Sequence, residues 1–214
     1  MVRSLWTAAT GMNGQQANID TISNNLSNVN TTGYKKQRVE FEDLLYQTIK
    51  TAGTPATEDT VTPLGVQMGS GVKVAATQRM FAQGNLQNTE VSTDLAIVGE
   101  GFFRVQQYDG SYAYTRDGSF KVDSNGQLVN SNGLRVMPEI ILPENFDIST
   151  LSISDDGRVS VKVAGDDNPI QVGQMELYRF ANPAGLEAKG DNLFITSTAS
   201  GDAIASPPGF DGTG

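Results

Sequence analysis

The 214-residue chain contains no cysteine and no histidine. Their absence excludes disulfides, thiolate nucleophiles, imidazole bases and the most common zinc ligands. Basic residues are also scarce: 15 Lys and Arg stand against 24 Asp and Glu, and the net charge is −9. Because phosphate neutralisation requires clustered cations, this balance predicts no nucleic-acid partner. No apolar run approaches the length of a membrane span, and the N-terminus does not resemble a cleavable signal, so we also predict no membrane insertion.

Apolar residues in the first thirty positions follow a heptad pattern, which predicts a coiled-coil-like helix over residues 1–30. These residues form a candidate assembly seam: Leu5, Ala8, Met12, Ile19, Ile22, Leu26 and Val29. Gly11 and Gly14 each cost about 1 kcal/mol in a helix interior, so the helix is expected to depend on packing. The small residues Ala8, Ala9, Gly11, Gly14 and Ala17 would also permit close backbone approach to neighbours. An alternative is an amphipathic helix whose seam lies on the core of its own domain.

The predicted helix ends in a stretch that is rich in asparagine. The residues expected to pack at this helix end are Asn24, Asn25, Asn28, Asn30, Gly33 and Tyr34. Asparagine is a mediocre helix former, but its amide can bond backbone groups at a helix terminus. An ordinary frayed helix end is the alternative.

Residues 51–71 have a spacing of prolines and glycines that no helix survives. We predict an extended arm here, within a connecting segment that spans residues 31–74. The arm residues expected to make contacts are Pro55, Pro63, Leu64, Val66 and Met68.

Residues 75–200 alternate apolar and polar positions and are punctuated by turn sequences such as Asp109–Gly110 and Ser131–Asn132–Gly133. This pattern predicts an all-β domain. The side chains expected to face its core include Phe102, Val105, Tyr114, Phe120, Val122, Leu128 and Ile153. The predicted fold class is therefore mainly β, with an N-terminal α-helix, an extended arm and an all-β outer domain.

Two groups of carboxylates are candidate chemical sites. Residues 121–132 resemble a calcium loop at Asp123, but Lys121 and Asn132 stand where carboxylates are needed, so a hairpin turn is favoured. The pairs Asp155–Asp156 and Asp166–Asp167 lie at predicted turns, where water prevents the pKa separation that a catalytic dyad needs. We predict no enzyme activity and no catalytic, cofactor or metal site. A heptad helix, an arm and a β domain are typical of an assembly protein.

Three stretches resemble the axial proteins of the bacterial flagellum, which form its rod and hook. They are SNNLSNVNTTGYKKQRVEFEDLL at 23–45, STDLAIVGEGFFRVQ at 92–106 and AYTRDGSFKVDSNGQLVNSNGLRV at 113–136. The arm stands where the distal rod members of this family carry a segment that hook subunits lack. In order and spacing the likeness covers nearly the whole chain.

The resemblance implies a subunit that leaves the cell through the flagellar export apparatus and polymerises helically into a rigid, hollow shaft. The implied partners are copies of itself, neighbouring rod and hook proteins, and the rings around the rod in the periplasm. The asparagine-rich helix end would then bond both its own chain and adjacent subunits. The rival interpretations are a proximal rod or hook subunit and a coil-oligomerised β-rich adhesion module.

The family also implies a second amphipathic helix at the C-terminus. Residues 201–214, with Pro207 and Pro208, are expected to begin a return segment and not to form that helix.

Overall fold

The computed structural model describes residues 2–53, 55–57, 60–61, 63–144, 146, 150–163 and 168–210. The chain divides into two compact units. Unit 1 comprises Met1–Val29 and Lys36–Met80, and unit 2 comprises Asn30–Lys35 and Phe81–Gly214. Among the described residues there is one α-helix, and most of the remaining regular structure is β, so the predicted fold class is confirmed.

Unit 1 consists of a helix and a β-ribbon. The helix is α1 (Val2–Ser27), and the strands are β1 (Gln37–Asp43), β2 (Gln47–Lys50), β3 (Pro55–Thr57), β4 (Thr60–Val61), β5 (Val66–Met68) and β6 (Val72–Arg79). Strand β1 pairs with β6, β2 with β5 and β3 with β4, all antiparallel. The nested pairing makes one ribbon. The described residues of the arm predicted over residues 51–71 form its distal part, while residues 54, 58, 59 and 62 lie outside the described part of the chain.

Unit 2 contains a longer series of short strands. They are β7 (Phe103–Gln106), β8 (Tyr112–Thr115), β9 (Lys121–Val122), β10 (Leu128–Val129), β11 (Arg135–Met137), β12 (Ser152–Ile153), β13 (Arg158–Val161), β14 (Ile170–Gln174), β15 (Leu177–Arg179), β16 (Glu187–Gly190), β17 (Leu193–Ile195) and β18 (Ile204–Ser206), with a short 3-10 helix at Pro183–Gly185. Over the described residues, the main sheet has the order β16-β17-β8-β7-β11-β10-β9; β12, β13 and β14 form a second sheet, and β15 pairs with β18.

The turns between these strands follow the predicted sequence signals. Gly110, Gly126, Gly133 and Gly157 have φ between 76° and 82°, a conformation that side chains with a Cβ rarely adopt. The strands of unit 2 bury apolar side chains in two core clusters. As predicted, Val105, Phe120 and Leu128 are buried in the first cluster, and Phe102 and Tyr114 in the second. Val122 and Ile153 are partly buried against the first cluster.

Some elements of unit 2 were not anticipated from the pattern. Strand β16 is exposed along its whole length, and β18 pairs with β15 from within residues 201–214. Residues 164–167 and 211–214 lie outside the described part of the chain. In the part that is described, no helix combines the length and the apolar character that crossing a membrane requires.

Candidate assembly surface on the N-terminal helix

One face of α1 packs on the ribbon of unit 1. Its residues recur every three or four positions and are partly or fully shielded from solvent: Arg3, Thr7, Thr10, Gly14, Ala17, Thr21 and Asn25. These side chains are small or polar, so this ribbon-facing side differs in chemistry from the apolar seam. At 3.6 residues per turn, the centres of the two faces lie about 140° apart around the helix.

At Gly14 the helix lies close against the ribbon. It is the one buried residue of α1, and a Cβ built on it would lie 3.3 Å from Phe41 Cε1 and 3.5 Å from Val72 Cγ1. A larger side chain would push these two residues away. Of the small residues expected to permit close backbone approach, Gly14 therefore lies against side chains of the chain's own ribbon. A Cβ built on Gly11 would meet no neighbouring atom within 4 Å.

Hydrogen bonds from polar side chains hold α1 on the ribbon near both ends of the helix. Near the start, Arg3 Nη2 donates to Met68 O at 2.8 Å, and Nη1 donates to Gln47 Oε1. Near the end, Asn25 Nδ2 donates to Gln37 O at 2.7 Å, while the Gln37 amide donates to Asn25 Oδ1 at 2.9 Å. The Asn25 side-chain amide thus pairs with the backbone of Gln37, the first residue of β1, as a neighbouring strand would. These two bonds explain why an asparagine stands at position 25 of the helix.

The predicted helix-end residues do not form one cluster. Asn24, Asn25 and Asn28 belong to unit 1, and Asn28 Nδ2 donates to Asn24 O at 3.0 Å. In contrast, Asn30, Gly33 and Tyr34 belong to unit 2. The chain therefore changes units directly after Val29.

The apolar seam faces solvent in the described part of the chain. Its large members are between 56% and 70% exposed, namely Leu5, Met12, Ile19, Ile22, Leu26 and Val29, and Ala8 is exposed as well. Val29 lies just beyond the end of α1. The alternative in which the seam lies on the core of its own domain is therefore wrong. From Leu5 to Leu26 the seam offers an apolar stripe about 32 Å long.

The arm adds further exposed apolar side chains. Leu64 is 80% exposed, and Val66 and Met68 are about half exposed. Pro63 is exposed as well, whereas the side chain of Pro55 lies outside the described residues. Sequence reasoning missed further exposed apolar residues of unit 1: Trp6, Leu45, Tyr46 and Ile49. Residues 44–50 do not alternate between apolar and polar positions, and all four residues of β2 are exposed, so this stretch carries no clear strand signal.

The acidic turn residues of unit 2 stabilise turns. Asp123 Oδ1 accepts from the Gln127 amide at 2.9 Å and from the Asn125 amide at 2.8 Å, and these bonds hold the pKa of Asp123 below its usual value. The Ser154 hydroxyl bonds the Asp156 carboxylate, and this bond lowers the pKa of Asp156. The hairpin interpretation of Asp123 is confirmed. In the described residues, no three carboxylates gather as a metal site would require, and Asp166 and Asp167 lie outside them.

Two family models match parts of the chain. Residues 5–35 match flagella basal body rod proteins, and residues 96–161 match the D1 domain of flagellar hook proteins FlgE/F/G. The flagellar basal-body rod protein FlgG of Borreliella burgdorferi is 58% identical over 214 residues, which are 100% of this chain and 81% of that protein. FlgG of Bacillus subtilis is 39% identical over 220 residues, covering 100% of this chain and 81% of the relative.

A hook protein is similar over a shorter stretch. The flagellar hook protein FlgE of Helicobacter pylori is 46% identical over 137 residues, which are 64% of this chain and 19% of that protein. The rod-protein alignments thus include all of unit 1, including the ribbon, whereas the hook alignment leaves out about a third of the chain.

Proposed function

This chain belongs to the family of flagellar basal-body rod proteins, and on that premise we propose that the open seam of α1 is the surface through which its copies assemble. It is a structural subunit of the rod. We propose that it polymerises helically into the rigid, hollow distal rod that transmits torque from the motor to the hook. The observation that carries this proposal is the row of large apolar side chains, more than half exposed, along one face of α1.

Large apolar side chains that stay in water do not gain the free energy of burial. Burying one large apolar side chain contributes roughly 1.5–3 kcal/mol. Soluble monomers rarely expose contiguous apolar patches of more than a few hundred Å². The ribbon-facing side of α1 is already occupied, so the seam is free to receive a neighbour. Head-to-tail contacts that do not close into a ring generate a helical polymer, which is the geometry that a shaft requires.

Rod and hook proteins are the partners that the family supports, because relatives of both kinds align with this chain. The full-length alignment with rod proteins favours the rod over the hook. We further propose contacts with the surrounding rings and passage through the export apparatus into the periplasm, in keeping with the absence of cysteine. We propose a mechanical role without catalysis.

The assembly role of the seam is tested with Met12→Glu, in a bacterium that lacks its own copy of the protein. Glu and Met have similar helix propensities, so the change places a charge on the seam with little effect on α1. We expect the rod to be lost from isolated basal bodies in electron micrographs, with loss of motility. The matched control is Asn13→Glu, on a flank that already carries Asp20. Normal rods in Met12→Glu would show that the seam is not the assembly surface.

The arm has a separate proposed role. We propose that its exposed residues Leu64, Val66 and Met68 contact neighbouring subunits and stiffen the shaft. Deleting residues 53–70 should give polymers that bend, because these contacts are removed while the seam remains. The measurement is polymer curvature in electron micrographs, and a straight, stiff polymer would contradict this role. Leu64→Ser is the milder comparison and should change curvature less.

A further inference from the structure

Residues 30–35 form a strap: they belong to unit 2, although the chain before and after them belongs to unit 1. We propose that Asn192, from the opposite end of the sequence, is the positioning residue that holds this strap on unit 2. The chain passes between the two units at three places, and two of them are the ends of the strap. A strap that is held in place therefore defines where the chain departs for α1 and for β1.

The direct contact is a hydrogen bond between residues 160 positions apart. Asn192 Nδ2 donates to Thr32 O at 3.0 Å. Thr32 lies in the middle of the strap, and within the strap the Tyr34 amide donates to Thr31 O at 3.3 Å. The Asn192 amide thus reaches a carbonyl inside a tight turn of the chain.

The conformation of Asn192 is a second, independent observation. Asp191 and Asn192 connect β16 to β17, and their φ values are 52° and 59°. Two-residue hairpin turns with positive φ at both positions favour glycine at the second one. Glycine would adopt this conformation without strain, whereas Asn keeps a side chain that can bond the strap. The turn therefore contains the less favourable residue at the one position whose side chain contacts Thr32.

The surroundings of the strap are shaped to receive it. Gly33 has φ 71°, and a Cβ on it would lie 2.7 Å from the Asp117 amide nitrogen, in the connection between β8 and β9. At the end of the strap, Lys35 Nζ donates to Ala82 O at 2.8 Å. The strap thus contacts three parts of unit 2. Gly33 lies against the connection between β8 and β9, and Asn192 bonds the strap from the turn between β16 and β17. Lys35 bonds the segment that follows β6.

The first test is hydrogen exchange of the Tyr34 amide in the full chain. In Asn192→Asp the turn residue can still adopt positive φ, but a carboxylate cannot donate to Thr32 O. We expect Tyr34 exchange to accelerate about fivefold or more, the effect of one lost hydrogen bond. The control is Asp191→Gly, which relieves strain at the neighbouring residue and keeps the amide of Asn192. Its Tyr34 exchange should match the parent.

A second variant separates loss of the contact from damage to the turn. Asn192→Gly places the favoured residue in the turn and removes only the side chain. It should release the strap as Asn192→Asp does, while exchange in β17 stays as slow as in the parent. The inference is overturned if Tyr34 exchange in Asn192→Gly equals that of the parent, or if Asp191→Gly accelerates it equally.

The positioning role needs a readout that a local contact alone would not change. Because the chain has no cysteine, spin labels can be placed on cysteines introduced at the exposed residues Asn30, in the strap, and Ser131, elsewhere in unit 2. The distance distribution should broaden in Asn192→Asp and not in Asp191→Gly. An unchanged width would overturn the positioning role. None of these measurements depends on rod assembly, so they can fail while the proposed function holds, and the converse is equally true.

Discussion

Unit 2 contains every buried hydrophobic residue of the described chain, whereas unit 1 carries sixteen of the twenty-five large hydrophobic residues that are exposed. The charges differ as well. Unit 1 has six acidic and six basic residues, while unit 2 has eighteen acidic and nine basic ones and so accounts for the whole net charge of −9. Unit 2 thus contains the buried apolar core and an excess of acidic residues. Unit 1 exposes most of its large apolar residues and has balanced charges, which is in keeping with the proposed packing against copies of itself.

The largest difference between the units should appear on truncating one apolar side chain in each. Phe120 of unit 2 is 1% exposed and packs edge-to-face on Phe103, with ring centroids 5.0 Å apart. Phe120→Ala should lower the free energy of unfolding by about 3–5 kcal/mol. Leu26 of unit 1 is 69% exposed, and Leu26→Ala should change it by less than about 0.5 kcal/mol. Urea unfolding measures both, and equal losses would mean that the seam is covered in the monomer.

A smaller effect should come from the helix–ribbon contact in unit 1. Gly14→Leu would force apart α1 and the ribbon at Phe41 and Val72, which should cost about 1–3 kcal/mol. The measurement is hydrogen-exchange protection of the Val72 amide. The matched variant is Gly11→Ala, which meets no neighbour and should stabilise α1 by about 0.5–1 kcal/mol through its helix propensity. Equal protection in the two variants would contradict the close approach at Gly14.

The smallest expected effect concerns the hydrogen bonds at the helix end. Asn25→Asp removes the donor to Gln37 O and places a carboxylate against that carbonyl, which should cost about 1–2 kcal/mol. The control Asn24→Asp adds the same charge near the helix C-terminus, where the helix dipole disfavours it by about 0.3–1 kcal/mol. Urea unfolding compares the two, because the Gln37 amide can still donate to the new carboxylate. If Asn24→Asp costs as much, the loss belongs to the charge and not to the Asn25 contact.

Local sequence signals predicted most of unit 2. Alternation and turn residues located β7 to β13 and β17, because side-chain periodicity and positive-φ turns are properties of a few neighbouring residues. Residues 170–180 were predicted as one run, whereas the structure divides them into β14 and β15, which lie in different sheets. Strand β16 was not predicted, because all of its residues are exposed and it has no alternation of buried and exposed positions. Strand β18 is short and depends on β15 for its pairing, so its own residues carry little signal.

In unit 1 the sequence predicted the helix and its seam but not the role of the opposite face. Thr10, Gly14 and Asn25 looked like poor helix residues, because propensity alone ranks threonine, glycine and asparagine low. Each of them contacts the ribbon, where a small or hydrogen-bonding side chain is needed. Contacts across about ten to sixty positions cannot be recognised from helix periodicity.

By itself, the sequence determined the heptad seam, the turn-punctuated β domain, the non-helical arm and the absence of histidine and cysteine chemistry, since all of these follow from residue type and short-range spacing. Only the tertiary structure decided which face of α1 is covered, that the arm belongs to a paired ribbon and that residues 30–35 lie in unit 2. The reason is that such choices depend on partners distant in the chain, as the bond from Asn192 to Thr32 shows.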